Sequence, residues 1–112
     1  MKRLSREEIL NAKDLETREV EIKEWHGSVL VKALSGKKRS DILQTCIDDK
    51  GKMDLNKLYP ALLVAGCIEP EFKKADAEAL NEKNSGAIET VCKVISSMSG
   101  INQEDVEDAK KN

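Results

Sequence analysis

Alternation of apolar and polar side chains over residues 17–34 constrains this chain more than any other feature. The runs Thr17-Arg18-Glu19-Val20-Glu21-Ile22 and Ser28-Val29-Leu30-Val31-Lys32 flank His26-Gly27. A period of two on each side of a glycine-containing dipeptide reads as a β-hairpin. With a two-residue turn at His26-Gly27, and Gly27 supplying the positive φ, the paired positions sum to a constant. Ile22 then faces Val31, Val20 faces Ala33 and Glu24 faces Val29, while Glu21 pairs with Lys32, Lys23 with Leu30 and Trp25 with Ser28. A slip of one residue sets Ile22 against Lys32 or Leu30 and mixes the two faces.

A chain of 112 residues fits a single domain, 1–112, with a core large enough to need no metal or disulfide. It contains one Trp, one Tyr and one Phe, so the core is predicted to be aliphatic. Lys and Arg are dispersed among Asp and Glu for a formal charge of -2, which leaves no footprint for gripping a phosphate backbone and argues against nucleic acid as the main partner. Cys46, Cys67 and Cys92 are odd in number and set in apolar surroundings, as expected of buried thiols in a reducing compartment. No apolar run approaches the roughly 20 residues of a membrane span, and Met-Lys-Arg-Leu-Ser leads into charge rather than a signal-peptide core. The expectation is a cytoplasmic protein with no membrane partner.

The predicted fold class is α+β, an N-terminal hairpin followed by a small, mostly helical bundle. Within it, residues 1–16 form an arm, 17–35 the hairpin and 37–111 the helical region. Ser5 and Glu8 have capping-box spacing, so the arm is read either as a short helix over 5–12 that docks on a neighbour or as a mobile terminus. A helix begins at Lys37 with Ile42, Leu43, Cys46 and Ile47 on one face. The run from Asp48 to Asp54 invites a calcium-loop reading, but placing Gly51 at the glycine position puts Cys46, Lys50 and Lys57 where ligands belong. A polar turn with Asp54 capping the next helix remains. Leu55, Leu58, Tyr59, Leu62 and Leu63 continue at helical spacing, and Pro60 means that the helix either kinks there or begins near Tyr59. Residues 74–82 carry a weaker helical pattern. Ala87, Ile88, Val91, Cys92, Ile95 and Met98 make the clearest amphipathic stripe, which Ser99-Gly100 stops. Asn102 and Asp105 restart a short helix around Val106.

Chemistry is hard to find. His26 is the single histidine, and no Cys-x-x-Cys, His pair or phosphate-binding glycine loop occurs. No cofactor, metal or catalytic residue is predicted, and the chain is read as a non-enzyme. Glu19, Glu21 and Glu24 read as a solvated strand face. The predicted partner-binding residues are Trp25, His26, Val29, Leu30 and Val31, at and beside the hairpin tip. Trp25 there is either an interface anchor or a clamp on Leu30. A free-edged hairpin with aliphatic stripes points to self-association or to capture of apolar segments.

The motifs taken in order carry a resemblance. A Leu4-to-Leu10 arm precedes a Leu15-to-Trp25 strand containing Glu19-Val20-Glu21-Ile22 and Trp25-His26-Gly27. Then come Val29-Leu30-Val31, Leu34-Ser35-Gly36, Leu80-Asn81-Glu82-Lys83-Asn84-Ser85-Gly86-Ala87-Ile88 and Ser99-Gly100-Ile101. This succession resembles the bacteriophage tail assembly chaperones encoded in the tail-gene clusters of phages and prophages of Gram-positive bacteria. It spans nearly the whole chain and is weakest over 50–70. The resemblance implies a non-enzymatic chaperone that binds the tape measure protein, keeps it soluble until tail-tube protein polymerises around it, and is missing from the finished virion. Many such proteins are made in two lengths by a minus-one ribosomal slip. Lys110-Lys111-Asn112 is what the heptamer A AAA AAC would encode, so the chain is read either as the short product or as one with an ordinary polar tail. An AAG codon at Lys111 removes the first reading. The alternatives are a structural head-tail or tail completion protein of the virion, and a small DNA-binding regulator using Lys37, Lys38 and Arg39.

Overall fold

A computed structural model describes residues 1–101. The expected short helix around Val106 and the Lys110-Lys111-Asn112 tail lie outside the described residues. The architecture is α+β, with a three-stranded antiparallel sheet backed by helices.

The hairpin forms from β1 (Thr17–Ile22) and β2 (Gly27–Lys32). Its register differs from the expected one. Val20 faces Val29, Arg18 faces Val31 and Ile22 faces Gly27. Each β1 residue therefore meets a partner four positions earlier than the two-residue turn required. The connection is longer, a 3-10 turn at Lys23–Trp25 closed by His26, whose N–H donates to the Lys23 carbonyl at 3.1 Å. His26 takes the left-handed conformation at φ 53°, ψ 42°, and not Gly27. Histidine is among the non-glycine residues that populate this region more readily. The shift is even, so both faces keep their members and alternation is blind to it. What it improves is burial, because Glu24 leaves the core face and Val20 packs on Val29.

Residues 37–111 were expected to be helical, yet they contribute a strand. β3 (Cys67–Glu69) pairs with β2 through Leu30↔Glu69 and Val31↔Cys67, giving the order β1-β2-β3. Val31, in the central strand, is fully buried.

Among the described residues five α-helices accompany the sheet: α1 (Arg6–Leu10), α2 (Gly36–Thr45), α3 (Leu55–Gly66), α4 (Ala77–Asn81) and α5 (Ser85–Met98). α1 has the capping box expected of Ser5 and Glu8. Ser35, Asp54 and Asn84 cap α2, α3 and α5 through side chains that accept from backbone N–H groups two or three residues on. In the loop before α3, Asp48 accepts from the backbone N–H groups of Lys50 and Lys52, both at 2.9 Å. Those donors, Lys52 foremost, hold its carboxyl below the usual carboxylate range. The buried face of α5 lies against α3 and against both hairpin strands.

α5 ends as a Schellman motif. Gly100 is left-handed at φ 70°, the Ile101 N–H donates to the Ser96 carbonyl at 2.9 Å, and the Gly100 N–H reaches Ser97 at 3.5 Å. Ile101 is buried. Two further bonds tie this end to the rest of the molecule. Ser99 Oγ accepts from the Leu34 N–H at 2.8 Å, and Arg39 donates to the Gly100 carbonyl at 3.3 Å.

Pro60 sits inside α3, which runs without a break from Leu55. A proline at that position cannot donate to the carbonyl four residues earlier, here that of Asn56. The carboxamide of Asn81 supplies the missing donor, with Nδ2 at 3.0 Å from the Asn56 oxygen. One residue of α4 therefore satisfies the group that Pro60 leaves open, and α4 is pinned to α3. Asn81→Ala is expected to lower stability by about 0.5–1.5 kcal/mol, the usual worth of such a bond. In a Pro60→Ala background the restored backbone N–H competes for the same oxygen, so the loss should shrink. A double-mutant cycle by urea denaturation measures this coupling.

Candidate partner-binding surface

The structure divides the residues expected at the hairpin tip. Val29 and Val31 point inward and belong to the core. Trp25 lies in the 3-10 turn and packs half-buried against that core, and the turn rests on α5. His26 is exposed, and Leu30 is half-buried on the opposite sheet face from Val29 and Val31. On that outer face Ser28 Oγ donates to Glu19 Oε1 at 2.6 Å. Only His26, Leu30 and part of Trp25 are thus offered outward, and they do not form one apolar patch.

Exposed apolar surface is concentrated on the arm instead. Leu4, Ile9, Leu10 and Leu15 are 60%, 56%, 65% and 47% exposed, and α1 buries no residue. Its hydrogen bonds close within the arm, between Ser5 and Glu8 and between Lys2 and Glu8. Leu4 and Ile9 occupy the two positions of a hydrophobic staple around the Ser5 cap.

A second apolar surface lies between α2, α3 and the start of α4. It is an open groove of about 760 Å³. Its floor consists of Ile42, Pro60, Ala61, Val64, Ala65 and Ala77, and Cys46 adds a thiol whose pKa burial pushes up. Lys38, Lys57 and Lys74 line it with Asp41, which Lys37 already holds at 3.1 Å. The groove exists because α3 is apolar on two sides. Leu58, Leu62 and Leu63 turn into the core, while Pro60, Ala61, Val64 and Ala65 face the groove.

Sequence reasoning missed this surface. The available signal was the continuous apolar character of Leu58 to Ala65, more than one buried face of a surface helix requires.

Among the described residues no group of three or more His, Cys, Asp and Glu side chains is placed to hold a metal ion, and no helix is long and apolar enough to cross a membrane. The fold and surface define an α+β domain carrying a lysine-rimmed apolar groove and an apolar arm. Comparison with protein-family models, with curated proteins and with solved structures found no match.

Proposed function

We propose that this chain is a tail assembly chaperone of a phage or prophage, which binds the tape measure protein and keeps it soluble while the tail is built. The observation that carries this reading is the order and spacing of short motifs from Leu4 to Ile101. The surface supports it in physical terms. A long helical client with apolar faces needs those faces covered before the tail tube encloses it. The arm and the groove both present apolar area bordered by charge. No bond is made or broken in such a role, and weak contacts repeated along the client supply avidity while permitting release. Assembly takes place in the host cytoplasm, with tail-tube protein as the successor on the client and self-association as a means of presenting several copies.

Co-expression with the tape measure protein of its own gene cluster tests the proposal. The expected result is a tape measure protein that moves from the pellet to the supernatant and co-purifies with this chain. An unchanged pellet, or recovery of this chain as a component of purified virions, contradicts it.

A further inference from the structure

The geometry points to the groove between α2 and α3 as the seat of an amphipathic helix whose apolar stripe is flanked by Asp and Glu. For the identity of its client this rests on the chaperone reading; the chemistry of the occupant is argued from the groove alone. The floor is made of small or compact side chains, Ala61, Ala65, Ala77 and the Pro60 ring, so a rod can approach α3 closely. The floor, made of apolar side chains alone, offers nothing to a backbone in need of partners, and the polar groups stand around it. Thr45 Oγ1 already donates to the Asp41 carbonyl at 2.8 Å, and the Asn56 carbonyl is taken by Asn81. An extended peptide lying here would bury N–H and C=O groups without partners, whereas a helix arrives with its backbone satisfied.

Charge sets the flanks. Among the described residues, none of the ammonium groups of Lys38, Lys57 and Lys74 is in an ion pair. Among the described lining residues Asp41 is the one carboxylate, and Lys37 on the same helix pairs with it at 3.1 Å. The rim is therefore positive around an apolar floor. Carboxylates beside the stripe of an incoming helix are attracted to it, and ammonium groups are repelled. The arm of a second copy carries Lys2, Arg3, Arg6 and Lys13 against Glu7, Glu8, Asp14 and Glu16, so it brings no excess of carboxylates to this rim.

The test uses the full chain and two labelled helical peptides of roughly 18 residues, long enough to be helical alone. They share a Leu/Ala stripe and differ only in Glu or Lys flanks. Fluorescence anisotropy at low salt is expected to show the Glu-flanked peptide binding about tenfold more tightly, three exposed rim pairs being worth a few-fold each at most. Added salt should erase the difference. Lys57→Glu with Lys74→Glu, both exposed positions, should reverse the preference without altering the melting curve, and Val64→Lys should abolish binding of the Glu-flanked peptide. Equal binding of the two peptides overturns the inference. So does binding indifferent to the groove variants, which puts the site on the arm or the hairpin. Absence of binding also overturns it, including the case in which sedimentation shows a second copy filling the groove. Peptide discrimination together with a tape measure protein that stays insoluble would leave the groove standing and remove the chaperone reading. Solubilisation by the groove variants would do the reverse.

Discussion

Stability is expected to stay level up to about pH 9 and to fall steeply towards pH 11, because the folded chain keeps protons on its thiols that the unfolded chain gives up. All three cysteines are buried. Burial pushes the Cys67 thiol from 9.0 to about 11. Cys92 is driven higher still, first by burial and then by the neighbouring Cys67 and Glu89, and Cys46 moves in the same direction. A folded-state pKa above the unfolded one gives stability that is complete below the unfolded value and disappears as the pH rises through the folded value. At about 1.4 kcal/mol per unit, the two-unit shift of Cys67 alone corresponds to roughly 3 kcal/mol across that window, a sizeable share of the ~5–15 kcal/mol typical of small domains. The contrast is made with Cys67→Ala, a change that leaves every other titratable group in place. Urea midpoints taken in steps from pH 8 should fall for the natural chain and fall less for Cys67→Ala. Parallel curves would contradict the assignment. At pH 8 the native thiols should also react with a disulfide reagent far more slowly than those of the unfolded chain, since access and thiolate are both lacking.

Gly66→Ala is expected to destabilise the fold, although alanine for glycine in a helix ordinarily helps by about 0.5–1 kcal/mol. α3 and α5 meet at this position. A Cβ on Gly66 would lie 2.7 Å from Ile95 Cδ1, 2.8 Å from Cγ2 and 3.0 Å from Cγ1. Ile95 is fully buried, and all three of these close contacts fall on its side chain. Overpacking of this kind costs about 1–3 kcal/mol, which outweighs the helix-propensity gain. The net loss should lower the melting temperature by several degrees, at about 4–8 °C per kcal/mol for a domain near this size. Ile95→Val removes the closest atom, so the double variant should be more stable than the sum of the single effects allows. Strict additivity would mean that the two helices do not touch as described.

The same contact shows where reading from sequence succeeds and where it stops. Period two announced the hairpin, and period 3.6 announced α5 with its buried Ile88, Val91 and Ile95, because each pattern repeats often enough to exclude the other. Register escaped it because an even shift moves no side chain to another face. A left-handed His26 and a three-residue turn give no periodic trace. β3 went unseen because Cys67-Ile68-Glu69 is too short to alternate and follows directly on a helix. Pro60 left two readings open, and the deciding residue, Asn81, lies more than twenty positions away and meets it only in the folded chain. For the site, Trp25 drew notice as a tryptophan near a turn, and the fold uses much of it for packing. The groove depends on Ala61, Val64 and Ala65, residues with no chemical signature, which matter only once α2 and α4 stand beside them.

As proposed, this chain would work by covering apolar surface on another polypeptide. Light scattering from tape measure protein diluted out of denaturant measures that act directly. Scattering is expected to fall in proportion to the amount of chain added and to level off at a fixed ratio, with nothing consumed. Aggregation that proceeds at the same rate with the chain in excess would contradict the account.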